Sequence, residues 1–253
     1  MQKEQRGKMW RTVVTIIVSV LAIIMPFIVV FFVGICTPPQ YADTYYGELH
    51  DMYARLKQTE GKKVVVVGNS NVAFGVDSAL MEGLLKSGDL DYTVCNFGLH
   101  GSIGTKVMLD LSRDYIGEGD IVIFVPEISN QLLSLYFSAE EAWYALDSGM
   151  DMFWEFGDDV RGTLVGGFFG YVAKKYALWS GGTPAEPSGV YAHSSFDERC
   201  DLKNYERPYN TMPGGVDVNN YIEFNSSQFD SGFIDYVNEY YADIRAAGAE
   251  MYY

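Results

Sequence analysis

Three cysteines and three histidines are spread through 253 residues, and this scarcity excludes several chemistries. An odd number of thiols cannot form a fully paired disulfide framework. Cys95 reads as a small buried hydrophobe, and the sequence leaves the pairing of Cys200 open. No Cys/His grouping has metal-ligand spacing, so neither a metal nor any other cofactor is expected. Positive charge is also short. Against 33 Asp and Glu there are 18 Lys and Arg, and the formal net charge of -15 argues against nucleic acid as a partner. Nothing repeats along the chain. The dinucleotide fingerprint is missing, because Gly68, Ser70 and Ala73 stand where three glycines would be needed. There is no phosphate loop ending in Gly-Lys-Ser/Thr, and Val72 occupies the place of the glycine that a nucleophile elbow requires.

Apolar length, by contrast, is concentrated at the N-terminus. Residues 13–35 run for about 23 positions without a charge, enough to cross a ~30 Å hydrocarbon layer as a helix. Pro26 would kink that helix without preventing insertion. Lys3, Arg6, Lys8 and Arg11 precede the run, whereas Asp43, Glu48 and Asp51 follow it. The positive-inside rule then keeps residues 1–12 cytoplasmic and sends the main domain outside. A cleaved signal peptide would have a shorter apolar core, about 7–15 residues, and a small-x-small exit, so an uncleaved single-pass anchor in the cell membrane is expected. Cys36 follows Ile35, a poor residue before a lipidated cysteine, and reads as a membrane-edge residue.

Beyond the anchor, residues 36–60 are expected to form a membrane-proximal connector, helical over 41–57 after Pro38-Pro39. Strands are predicted over 63–67, 92–96 and 120–125, with helices over 77–86 and 105–115 between them. Short links and this alternation imply right-handed parallel crossovers and a doubly wound sheet. An insertion is expected over about 147–228, with a helical pattern over 160–178 and a turn-rich stretch over 181–220. A further helix over 230–247, closed by Gly248, leads to the opening of another strand at 249–253.

Lys63-Val-Val-Val-Val-Gly-Asn-Ser-Asn71 is the most informative stretch. Four consecutive valines read as a strand buried on both faces, which delivers Ser70 to the strand's C-terminal edge. Open α/β sheets bind their ligands there. A serine so placed, with turn N–H groups aimed at its substrate, suits acyl transfer through a covalent ester.

Gly68-Asn69-Ser70-Asn71 resembles the first block of the SGNH (GDSL-like) hydrolase and acyltransferase superfamily, in the form found in membrane-anchored bacterial members. Gly101, in Asn96-Phe97-Gly98-Leu99-His100-Gly101, resembles the glycine of its second block. The likeness covers roughly residues 62–126. It implies a three-layer α/β/α flavodoxin-like sandwich with a parallel sheet over residues 61–253. It also implies that Ser70 is the catalytic nucleophile, with the backbone N–H groups of Ser70 and Gly101 as oxyanion donors. The substrates implied are acyl esters of cell-envelope or exported polysaccharide, cleaved by an esterase or passed on by an O-acyltransferase.

The match is incomplete in two places. The superfamily's third block carries an Asn after the third strand, but the register here gives Ile128, with Asn130 two places later. Glu127 is a candidate to line the pocket, orient a base or contact a sugar hydroxyl; an ionised carboxylate cannot donate to an oxyanion. Asn69, Asn71, His100 and Asn130 complete the candidate pocket. The Asp-x-x-His block that supplies the superfamily's general base does not occur, so the sequence is expected to be a C-terminally truncated fragment whose base lies beyond Tyr253. His100 reads as a loop-shaping or substrate-facing residue, His193 as a surface histidine, and His50 has no evident chemical role. Tyr144, Trp154, Tyr191 and Tyr205 would suit stacking on sugar rings. A second reading is a non-catalytic surface protein that keeps the fold and binds glycan or an envelope assembly partner.

Overall fold

The computed structural model describes residues 2–127, 133–203 and 230–253, the first five of these as backbone only. Strands β1 (Lys63–Gly68), β2 (Thr93–Gly98), β3 (Ile121–Val125) and β4 (Glu250–Tyr252) form one all-parallel sheet in the order β2-β1-β3-β4. The β-branched run explains β1, since alternate valines serve opposite faces of a central strand. Val65 and Val67 join Cys95, Phe97, Val122 and Phe124 in the larger core. Val64 and Val66 join Val94 and Val72 in a smaller cluster on the other side.

Helices cover the two faces. On the larger side lie α2 (Glu48–Gln58), α5 (Thr105–Arg113) and α8 (Ser231–Ala246), through residues such as Leu49, Met108 and Tyr240. On the smaller side lie the short α3 (Ser70–Gly75) and α4 (Ser78–Ser87), the latter started by the Asp77 side chain accepting the N–H of Leu80 at 2.8 Å. The molecule is therefore the expected three-layer α/β/α sandwich. At the N-terminal end of the sheet, Lys63 Nζ and Asp120 Oδ2 pair at 2.7 Å with little exposure. That pair ties β1 to the turn before β3.

One long apolar helix, α1 (Gln2–Cys36), stands outside this core and is consistent with a single-pass membrane anchor. It begins well before residue 13, because Lys and Arg are good helix formers even where no membrane is involved. Two further helices, α6 (Ala139–Leu146) and α7 (Asp158–Gly181), pack against each other, and α7 also packs against the C-terminal part of α1. Gly182 ends α7 in the left-handed conformation, φ 69°.

Several expected boundaries are corrected. The connector helix starts at Glu48 rather than residue 41, because Gly47 packs so tightly over the Ala42 carbonyl that the chain turns there before it coils. The second strand continues to Gly98, carried by its pairing with β1 through Gly68. Helices α3 and α6 were not anticipated. The sequence signal for α6 is Ser138-Ala-Glu-Glu141, the pattern of a capping box, and Ser138 Oγ does accept the Glu141 N–H at 3.3 Å. The turn-rich stretch is followed here as far as Lys203; residues 204–229, including Tyr205, lie outside the described residues, as do Ile128 and Asn130.

Candidate active site

β1 is followed by a helix leading to β2 on one side, and β2 by a helix leading to β3 on the other. The winding direction therefore reverses between β1 and β3, the position where open parallel sheets form a crevice at their C-terminal ends. Ser70 leaves β1 and Glu127 leaves β3 at that reversal, next to the paired residues Gly68 and Val125.

Glycine builds the turn that presents the serine. A Cβ on Gly68 would lie 2.3 Å from a Val72 methyl and 2.6 Å from the Val125 carbonyl. One on Gly98 would lie 2.5 Å from Val72 Cβ and 2.6 Å from the Asn69 carbonyl. Both strand ends thus lack side chains so that α3 can fold directly onto them. The Asn69 carbonyl starts that helix by accepting the N–H groups of Val72 and Ala73 at 3.0 and 3.1 Å.

The candidate residues then separate into two groups. Asn69 is fully buried, and its Oδ1 accepts the Thr105 hydroxyl at 3.0 Å. Among the described residues its Nδ2 has no hydrogen-bond partner. Asn71 is exposed, accepts the Asn69 N–H at 3.1 Å and donates to the Val125 carbonyl at 3.2 Å. Ser70 is half-buried, and its hydroxyl donates to Glu127 Oε2 at 3.4 Å. Its N–H opens α3, a position with no acceptor inside the helix. Asn69 and Asn71 therefore shape the turn, while Ser70 and Glu127 face each other across the crevice.

His100 lies in the turn after β2, among Ser102, Tyr46 and Glu141. Its Nδ1 accepts the Ser102 N–H at 3.2 Å and lies 2.5 Å from the Ser102 hydroxyl oxygen, which in turn donates to Glu141. Tyr46 donates to the same carboxylate oxygen at 2.6 Å. Burial, with help from Glu141, pushes the Tyr46 hydroxyl above its ordinary pKa. Gly101 follows His100 directly and opens the single turn Gly101–Ile103. Sequence reasoning missed Ser102 and Glu141, because Glu141 arrives from α6, about forty residues further on.

Of the aromatics proposed for sugar stacking, the three among the described residues do not share one surface. Tyr144 stacks on Tyr41 at 4.1 Å inside the packing between α6 and the connector. Trp154 is exposed beside α1. Tyr191, half exposed, meets Phe74 edge-on at 5.6 Å, next to the last residues of α3.

Away from the crevice, Glu48 is nearly fully buried next to His193, which bonds Asp51 at 2.8 Å. Burial pushes the Glu48 carboxyl up to about 7, opposed by the Cys200 thiol and His193. All three cysteines are free. Cys36 is exposed, and burial pushes the Cys95 and Cys200 thiols up. Comparison of this chain with models of known families, with curated proteins and with solved structures finds no match.

Proposed function

We propose that this chain is a membrane-anchored SGNH-like serine esterase or O-acyltransferase, oriented with residues 1–12 in the cytoplasm and its α/β domain outside. The observation that carries the proposal is the Ser70 hydroxyl, half-buried at the β1/β3 reversal and directed at Glu127 across 3.4 Å. In this reading Ser70 Oγ attacks the acyl carbonyl of an envelope or exported polysaccharide ester. The alcohol leaves with the hydroxyl proton, and water or a sugar hydroxyl then takes the acyl group from the serine ester. The backbone N–H groups of Ser70 and Gly101 hold the developing oxyanion. Glu127 orients the hydroxyl, and Asn69 and Asn71 hold the turn that presents it.

The test is labelling of the full chain in detergent with a fluorophosphonate probe, beside Ser70→Ala. Labelling of the parent and none of the variant is the expected result. Labelling that persists in Ser70→Ala moves the nucleophile elsewhere. No labelling of a folded parent favours the non-catalytic reading, in which the same crevice binds glycan or an assembly partner.

A further inference from the structure

The outer half of α1 does not stand clear of the domain. Phe27 meets Phe169 edge-on at 5.5 Å, and Phe31 lies 6.2 Å from Phe168. Gly34 lets the two helices touch, since a Cβ there would lie 2.7 Å from both Phe168 and Val172. The contact is locked: Lys175 Nζ donates to the Gly34 carbonyl at 3.1 Å and pairs with Asp147 Oδ1 at 2.7 Å. The same carboxylate accepts the N–H groups of Gln40 and Tyr41 in the connector. Helix α1 is therefore fixed to α7 rather than tethered to it.

That register sets a depth. Phe27 lies about 13 Å inward of Cys36 at ~1.5 Å per helical residue. Half of a ~30 Å hydrocarbon layer is about 15 Å, so a span ending near Cys36 carries Phe27 into the bilayer, and Phe169 with it. The composition of α7 agrees. No charged residue occurs over 162–173, while Asp158, Asp159 and Arg161 precede that stretch and Lys174 follows it. Large apolar side chains point outward, among them Trp154 at 72% exposure, Val165 at 56%, Phe169 at 44% and Trp179 at 49%. A surface this apolar is unusual facing water, and Trp and Tyr are the residues that collect at membrane interfaces. Between the helices runs an apolar slot of about 930 Å³, walled by Phe27, Phe31 and Phe32 on one side and by Trp154, Val165 and Phe169 on the other.

We infer that this slot binds acyl chains of lipids in the outer leaflet, and that the middle of α7 is sunk into that leaflet beside α1. The occupant follows from the walls: one of them is the span itself, so lipid chains are the medium already surrounding it. The inference rests on the anchor reading of α1.

The test reconstitutes the full chain in vesicles of phosphatidylcholine and phosphatidylglycerol that include phosphatidylcholine with a diazirine in its acyl chain. Adducts formed on irradiation are mapped by mass spectrometry. Adducts on both α1 and residues 154–169 are expected. In Phe169→Lys, and independently in Val165→Lys, those on 154–169 fall to near background while those on α1 persist. Adducts confined to α1 in the parent overturn the slot and leave the anchor standing. Adducts on neither, with protein recovered in the aqueous fraction, overturn the anchor and the slot together. A slot that takes up no lipid, in a protein that a bifunctional cross-linker joins to a second copy through residues 154–169, assigns the groove to a dimer and also overturns the inference.

Discussion

The hydroxyl of Thr105 donates to the buried Oδ1 of Asn69 across 3.0 Å, and this bond joins the turn after β1 to the first residue of α5. Thr105→Val removes the donor while keeping the shape, leaving the whole Asn69 amide without a partner among the described residues. The expected cost is about 1–3 kcal/mol for a buried polar group left unsatisfied. Urea unfolding should show a lower midpoint at unchanged slope, and the rate of fluorophosphonate labelling should fall with the loosened turn.

Gly98→Ala tests the close approach beneath the serine. Its Cβ would fall 2.5 Å from Val72 Cβ and 2.6 Å from the Asn69 carbonyl, and neither belongs to the far end of a flexible side chain. Overpacking of this kind costs about 1–3 kcal/mol and should displace α3. A thermal melt gives the first effect. Slower labelling of Ser70 gives the second, whereas Gly83→Ala, where a Cβ meets nothing within 4 Å, should be neutral or stabilising.

The Lys175–Asp147 pair is nearly inaccessible, so removing one partner strands the other charge. Lys175→Met should destabilise the domain by about 3–5 kcal/mol, the range for an uncompensated buried charge. Limited proteolysis should then cut sooner near residues 36–44, where the Asp147 carboxylate holds the connector backbone.

Glu48 gives stability a pH dependence of defined sign. Its carboxyl is raised to about 7 by burial, above the 4.5 of the unfolded chain, so the folded state binds the extra proton. The stabilisation is complete below pH 4.5 and is lost as pH rises through about 7. At 1.36 kcal/mol per pKa unit the change is on the order of 3 kcal/mol. Melts at pH 5 and pH 8 should differ more for the parent than for Glu48→Gln. Equal differences would assign the pH dependence to other groups.

Native-state alkylation should separate the thiols. Cys36 is exposed and should react with maleimide, whereas buried Cys95 and Cys200, both with raised thiol pKa, should react only after denaturation.

Much of the scaffold was legible in the sequence because it depends on local pattern. Four adjacent valines can satisfy both faces of a strand only at the centre of a covered sheet, and β1 lies between β2 and β3. The charge-free run at 13–35 is long enough to span a bilayer whatever surrounds it. Ser70 at the end of β1 follows from where the valines stop.

Only the tertiary structure decided which distant groups meet. Glu127 faces Ser70 because β3 pairs beside β1, and no spacing along the chain encodes that adjacency. Glu141 reaches Ser102 and Tyr46 through a helix whose capping box is a short local signal, but whose position depends on packing against the connector. The seat of α7 on α1 rests on a glycine that permits contact and on a buried ion pair whose lysine also holds the Gly34 carbonyl. Local sequence determines which elements form, since propensity and apolar period act over a few residues. Long-range packing determines which side chains become neighbours, and through them the chemistry a strand edge can support.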